Sequence, residues 1–142
     1  DRIANHDKRL IVTGPPSWKP HPLVNEPSRA FGSVVCAPDG NSVVVQEEPT
    51  GGTNESSTKS HWQLWRIALD GKAMRLTNPP AGYSDDSPLF SPDQRTLYFV
   101  RSKSDRGELY ALRDGKLVGP LLALGESPGY YGHRDWPYSV AR

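Results

Sequence analysis

The sequence predicts an all-β fold in which groups of short antiparallel strands are repeated. Apolar runs are short throughout the 142 residues and end at turn residues, and no stretch has the periodicity of an amphipathic helix. Gly occurs 13 times and Pro 14 times, which suits many strands joined by turns. One order of strand and turn motifs occurs twice in full, so the fold is predicted to be repetitive.

The clearest copy of this repeat runs from Tyr83 to Lys116. Its central turn is Ser91-Pro92-Asp93-Gln94, where Pro presets φ and Asp can hydrogen-bond to its own backbone. An apolar segment precedes that turn, and the apolar runs Thr96–Val100 and Glu108–Leu112 follow it, separated by a polar loop. Three antiparallel strands in series are the simplest interpretation.

An earlier copy has the same features in the same order. The turn Ala37-Pro38-Asp39-Gly40 is followed by the apolar run Ser42–Val45, and a strand-like run, Gln63–Ile67, precedes the turn Leu69–Lys72. A longer polar loop, Glu48–Ser60, separates the two halves of this copy. A third, partial copy occupies residues 3–16, which match residues 67–80 without a gap, so the chain is expected to begin inside a repeat.

These motifs carry a resemblance to a known family. A Ser/Ala-Pro-Asp-Gly/Gln turn, an apolar run, Leu-Trp/Tyr, Asp-Gly-Lys and Leu-Thr together resemble the repeat of TolB-type β-propellers, over roughly residues 3 to 122. Each such repeat supplies one four-stranded blade, whose innermost strand lies just before the Pro-Asp turn. The resemblance therefore implies a TolB-like propeller segment of antiparallel four-stranded blades. This chain departs from the pattern in having no Trp before these turns and Gln94 in place of the usual Gly.

The predicted organisation is one β-propeller-type domain. Its parts are the end of a blade at residues 1–16, a Pro-rich connecting loop at 17–31, a first complete blade at 32–77, a second at 83–122 and the start of a further blade at 129–142. Pro20, Pro22 and Pro27 disfavour strand pairing in the connecting loop.

Two complete blades are fewer than the 4 to 8 that propellers typically use to close. An open arc would expose the edges and faces of its terminal blades. We therefore expect either a segment of a longer propeller or two copies of the chain that complete one ring of about six blades as a homodimer. A third possibility is that the two ends fold back and pair with each other.

Composition and charge exclude some function classes. A net charge of +1, from 17 basic and 16 acidic residues, gives no overall field that would attract nucleic acid. No window is long and apolar enough for a membrane span, and no targeting signal is visible in the chain. Cys36 is the only cysteine, so no internal disulfide is expected, and its place in a predicted innermost strand suggests a buried, inert thiol.

Candidate partner-binding residues follow from the propeller interpretation. The turn that leads into each innermost strand lies near the mouth of the central channel, where aromatic, acidic and basic groups would suit a protein or peptide partner. The residues of these rim turns are Arg29, Tyr83, Asp85, Asp86, Tyr130, His133, Arg134 and Asp135. The competing interpretation is that Asp85 and Asp86 cap a turn while Tyr83 and Tyr130 fill space between blades.

Catalytic and metal chemistry have little support. Asp85 and Asp86 are adjacent carboxylates without the further spaced oxygens of a cation-binding loop, so no metal site and no cofactor are predicted. A propeller lyase or glycosidase would need clustered carboxylates at the rim, and only these two and Asp135 qualify. The Gly-x-Ser-x-Gly elbow of serine hydrolases is absent from the chain.

The resemblance then implies a function. TolB-type propellers meet a protein partner around the channel mouth in the bacterial cell envelope, which suggests a non-enzymatic protein-binding or scaffolding module in a periplasmic or other extracytoplasmic location. The alternative is a non-catalytic gating propeller of a prolyl-oligopeptidase-like serine peptidase, because similar repeats occur in those enzymes.

Overall fold

The computed structural model describes residues 9–25, 29–49, 62–126, 136 and 138–141, and all regular structure in these residues is β-strand. The strands are β1 (Arg9–Val12), β2 (His21–Asn25), β3 (Arg29–Cys36), β4 (Ser42–Pro49), β5 (Gln63–Ala68), β6 (Ala73–Arg75), β7 (Ser84–Phe90), β8 (Thr96–Lys103), β9 (Arg106–Arg113) and β10 (Lys116–Glu126). No helix in this part of the chain is long and apolar enough to cross a bilayer.

Two four-stranded antiparallel sheets form the body of the molecule. The first has the strand order β3-β4-β5-β6 and the second has the order β7-β8-β9-β10, so neighbours in sequence are neighbours in space. A two-stranded sheet, β1-β2, precedes them. The predicted all-β fold of antiparallel four-stranded blades is confirmed.

The two four-stranded sheets pack face to face through a shared apolar core. Val44 and Leu64 of the first sheet are buried in one cluster with Leu97 and Phe99 of the second. Because side chains alternate along a strand, Leu97 and Phe99 turn toward the first sheet while Val100 turns away from it. The opposite face of the first sheet holds a second cluster, Phe31, Val43, Val45 and Ile67, on which Leu10, Leu23 and Val24 of the β1-β2 sheet pack.

The innermost strands share a local irregularity. A register shift lies between Phe31 and Val34 in β3, and another lies between Asp86 and Leu89 in β7. Ser87, within the second shift, has a positive φ of 52°. Such bulges re-aim side chains within a sheet, and their recurrence shows that the repeat extends to backbone detail.

The Pro-Asp turns also match, and they explain the Gln94 departure. Gly40 and Gln94 occupy equivalent places with φ of 73° and 63°, and each donates its N–H to the residue before the proline, Ala37 or Ser91, at 2.9 Å. With its carboxamide oriented to suit the neighbours, Gln94 donates to Asp39 Oδ2 at 3.3 Å and accepts from the Asp39 N–H at 3.2 Å. The side chain therefore links the turns of adjacent blades.

The structure differs from the predicted connecting loop at 17–31. His21–Asn25 forms β2 and pairs with β1, with Pro22 opposite Ile11 beside a register shift. A two-stranded sheet consists of edge strands, and an edge strand accepts proline because one side of its backbone needs no donor. The prolines of this span are therefore compatible with strand pairing, and the predicted loop is wrong at β2.

The prediction of a buried Cys36 is wrong, because the thiol is exposed. Val34 and Cys36 are the ladder partners of Val45 and Val43, so they share the face on which the β1-β2 sheet packs. That sheet has only two strands and leaves the end of β3 open, with 53% of Val34 exposed.

The C-terminal segment packs on the far face of the second sheet. Trp136 is 7% exposed and lies over Gly107, and the Tyr138 hydroxyl donates to the backbone carbonyl of Ser87 in the β7 bulge. Burial, and secondarily the negative charge of Asp86, raises the pKa of Tyr138 well above its ordinary value. Residues 138–141 form no strand, although the sequence predicts that a further blade starts in this region.

Candidate functional site: a groove at the rim of the second blade

The turn that leads into β7 lies at the same end of the sheet as the β8-β9 hairpin. Ser84 pairs with Ser102, so Tyr83, just before β7, lies beside the hairpin turn at Ser104 and Asp105. Tyr83 is half-buried, and its ring lies 5.6 Å from Lys103 Nζ, which places the ammonium over the ring face.

A groove of about 690 Å³ opens at this end, and we call it the rim groove. The charged residues that line it are Arg101, Lys103, Asp105, Arg106 and Glu108, and its aromatic residues are Tyr83 and Tyr110. Gly107 also lines it, as do Ala123 and Gly125, whose small size leaves the space open. The volume falls within the range of ordinary ligand pockets.

A buried ion pair fixes the inner end of the groove. Arg101 donates from Nε to Asp85 Oδ1 at 2.7 Å and from Nη2 to Asp85 Oδ2 at 2.9 Å. The Arg101 and Asp85 side chains are 9% and 0% exposed, and the two residues are direct partners across the β7-β8 ladder. Two-point geometry of this kind gives a strong, directional pair.

Aromatic rings hold the same guanidinium in place. Arg101 Cζ lies 5.1 Å from the Tyr110 ring centroid and 5.7 Å from that of Phe99. Burial alone would lower the pKa of Arg101, but the hydrogen-bonded ion pair with Asp85 offsets this and raises it. Arg101 is therefore a rigid, permanently charged part of the groove wall.

Asp85 and Asp86 are buried strand residues. Asp85 is engaged by Arg101 on the face toward the first sheet, whereas Asp86 pairs with Val100 and lies on the opposite side of β7. They neither cap an exposed turn nor present carboxylates at the surface. Neither the partner-binding interpretation nor the turn-capping interpretation predicted that these two residues are buried. Arg101 could have indicated the burial of Asp85, because pairing of β7 with β8 as a hairpin places Arg101 opposite Asp85.

Of the eight predicted rim residues, Tyr83 alone is seen to line the groove. Arg29 begins β3, where its backbone pairs with Pro49, and its side chain lies outside the described residues. Tyr130, His133, Arg134 and Asp135 also lie outside them. Their partner-binding role stays a prediction.

Sequence reasoning missed the residues of the β8-β9 hairpin. In the sequence these residues belong only to a polar loop and a strand, yet in the structure they line the groove beside Tyr83: Lys103, Asp105, Arg106 and Glu108. Pairing the predicted strands as a hairpin would have placed this charged turn next to the rim turn. Within the described residues, no group of three or more His, Cys, Asp or Glu side chains could hold a metal ion.

No protein-family model and no curated protein sequence matches the chain. Among solved structures, TolB from Acinetobacter baumannii aligns with a TM-score of 0.60 and 16% identity over 89% of this chain. A putative dipeptidyl aminopeptidase IV from Bacteroides ovatus ATCC 8483 aligns with a TM-score of 0.55 and 14% identity over 83% of it. The chain spans 29% of the first structure and 24% of the second. These likenesses concern the fold, and on that level the chain is a segment of a TolB-like β-propeller.

Proposed function

We propose that this propeller segment is a non-enzymatic module that binds a protein or peptide partner at the rim groove. The observation that carries the proposal is the groove itself, where Tyr83 and Tyr110 lie among charged groups of both signs. A peptide offers apolar side chains, amide groups and charges together, and this mixed lining can meet all three.

Rigidity of the groove supports binding. The guanidinium of Arg101 is already fixed by Asp85 and by two aromatic rings, so a partner would not need to order it. Interactions with pre-ordered groups lose less conformational entropy on binding. By the fold likeness to TolB, we extend the proposal to a periplasmic or other extracytoplasmic location.

The test is an unbiased selection of peptides that bind the chain. A random peptide library displayed on phage is panned against the immobilised full chain, and synthetic copies of the enriched peptides are titrated against purified variants. We expect Tyr83→Ala to weaken binding about tenfold or more, which corresponds to about 1.4 kcal/mol. Lys103→Ala, at an exposed residue, provides a second groove variant that should fold normally.

Trp18→Ala is the matched control, because it removes an exposed aromatic residue that does not line the groove. It should leave the affinity unchanged. Failure to enrich any peptide, or enriched peptides whose affinity is the same for Tyr83→Ala, Lys103→Ala and wild type, would refute the proposal. Circular dichroism of each variant separates a binding defect from unfolding.

A second candidate function has one specific observation in its favour, the fold likeness to the putative dipeptidyl aminopeptidase IV. On that hypothesis the segment belongs to a gating propeller of a prolyl-oligopeptidase-like serine peptidase. The parent protein would then react with a fluorophosphonate probe at a serine outside these 142 residues. Absence of labelling in an active preparation of the full-length parent would exclude this alternative.

A further inference from the structure

We propose that the partner segment bound in the rim groove carries a basic side chain, Arg or Lys, which pairs with Glu108 and lies near Asp105. This inference rests on the proposed function and specifies the chemistry of the partner. Two features of the groove support it: the distribution of charge around it, and which of those charges already have partners within the protein.

The arginines of the groove are already matched. Arg101 forms its buried pair with Asp85, and Arg106 Nη2 lies 3.0 Å from Glu126 Oε1. Lys103 lies over the Tyr83 ring. Asp105 and Glu108 form no ion pair with any residue in the described part of the chain.

Among the described residues, the charge balance of the groove is therefore negative. Three basic residues line the groove, and two acidic ones line it with them. Asp85 and Glu126, the ion-pair partners of the two arginines, bring the acidic total to four. Lys103 offsets one of the two remaining carboxylates, and one negative charge is left without a counterpart among the residues that the structure describes.

Of the carboxylates of Asp105 and Glu108, that of Glu108 is the better placed to bind a basic group of the partner. It lies directly opposite Arg101 across the β8-β9 ladder, yet Arg101 is held by Asp85 on its other side and cannot turn to it. Glu108 is two residues from Tyr110 on the same face of β9. The pKa of Tyr110 is raised, first by burial and then by the negative charge of Glu108, which also accepts a hydrogen bond from the Tyr110 side chain. Because a carboxylate has several acceptor sites, this bond leaves Glu108 able to pair with a basic group.

A basic side chain fits these surroundings in both of its parts. Its ammonium or guanidinium would form charge-assisted hydrogen bonds to the Glu108 carboxylate, and its aliphatic stem would lie along the tyrosine-lined wall. An acidic or phosphorylated side chain would instead meet a groove that already has excess negative charge. The partner chemistry we infer is therefore an Arg- or Lys-containing peptide.

The experiment is a double-mutant cycle between the chain and a peptide from the phage selection. The peptide is synthesised with its basic residue and with Gln in that place, and each form is titrated against wild type and Glu108→Gln. For the basic peptide, Glu108→Gln should weaken binding about fivefold, as expected for a partly exposed ion pair. For the Gln peptide the same substitution should change the affinity little, and added salt should weaken only the basic peptide.

Asp114→Asn is the matched control, since it removes an exposed carboxylate from the opposite end of the same blade. It should leave the affinity for both peptides unchanged. Enriched peptides that lack basic residues, or equal losses for both peptides with Glu108→Gln, would overturn this inference while leaving the groove as the binding site. Failure of the selection itself would instead overturn the proposed function.

Discussion

At the scale of single residues, Gln94 shows how a departure from the repeat is compensated. It adopts a left-handed backbone conformation that favours glycine, as its counterpart Gly40 does. Its carboxamide also forms hydrogen bonds that join the turn of the second blade to Asp39 of the first. A glycine would relax the backbone but could not make this link.

Two substitutions at Gln94 separate these effects. Gln94→Ala loses the link and keeps the backbone cost, whereas Gln94→Gly loses the link and removes that cost. We expect the alanine variant to be less stable than the glycine variant by about 1 kcal/mol in urea unfolding. Gly40→Ala should cost a similar amount, because no atom within 4 Å of an added Cβ adds a steric effect. Equal stability of the two Gln94 variants would contradict this account.

The buried pair of Asp85 and Arg101 is the second residue-scale feature with a measurable consequence. Arg101→Met would leave the Asp85 carboxylate in the core without its partner. Loss of one member of a buried pair costs about 3–5 kcal/mol, so urea unfolding should show a large loss of stability.

Replacing both members is the control for this prediction. The double variant Asp85→Leu with Arg101→Met removes the uncompensated charge, and it should be more stable than Arg101→Met alone. If the double variant were as unstable as the single one, lost packing rather than an unpaired charge would be the cause.

At the scale of elements, the C-terminal segment depends on the absence of a side chain at Gly107. A Cβ there would lie 2.6 Å from Trp136 Cη2 and 2.8 Å from Val100 Cγ1, so the indole would have to move. We expect Gly107→Ala to destabilise the protein by about 1–3 kcal/mol, measured by urea unfolding.

The cost should fall when Gly107→Ala is made in a Trp136→Ala background, because the closest clash is then gone. Such non-additivity is the mark of two groups in direct contact. Strict additivity would mean that Trp136 does not rest on Gly107.

Strand and turn elements were predictable where local chemistry decides them. The turns at Pro38 and Pro92 and the apolar runs beside them indicated repeated antiparallel strands, and the resemblance to TolB-type propellers implied four strands in each repeat. β2 was not predicted, because proline generally disfavours strand pairing and the sequence does not show that this strand lies in a two-stranded sheet. The burial of Asp85 was missed because its partner, Arg101, is 16 residues away and becomes a neighbour only through strand pairing.

At the scale of the whole molecule, only part of the groove could be predicted from the sequence. The charged β8-β9 hairpin lines the groove because of its position in the fold. Tyr83 was identified because the repeat assigns it to a rim turn. Glu108 and Lys103 contribute through tertiary position alone, and no motif marks them. Exposure of Cys36 likewise depends on how much of the outer face of the first blade is covered, which no local pattern specifies.

The exposed face of the first sheet at Val34 is relevant to whether two copies of the chain complete one ring. A ring completed by two copies of the chain predicts a solution mass of about twice 15.7 kDa, measured by light scattering coupled to size exclusion. In that case Val34→Ser should shift the mass toward the single chain, because a polar group would weaken packing on this face. A single-chain mass for the wild type would rule out the two-copy ring.

The most direct test of the central claim is hydrogen–deuterium exchange of the full chain with and without a selected peptide. Binding at the rim groove predicts slower exchange at residues 80–84 and 103–108, and no change at the opposite turn, residues 91–95. Protection confined to the opposite turn would contradict the claim, because the partner would then bind away from Tyr83 and Glu108.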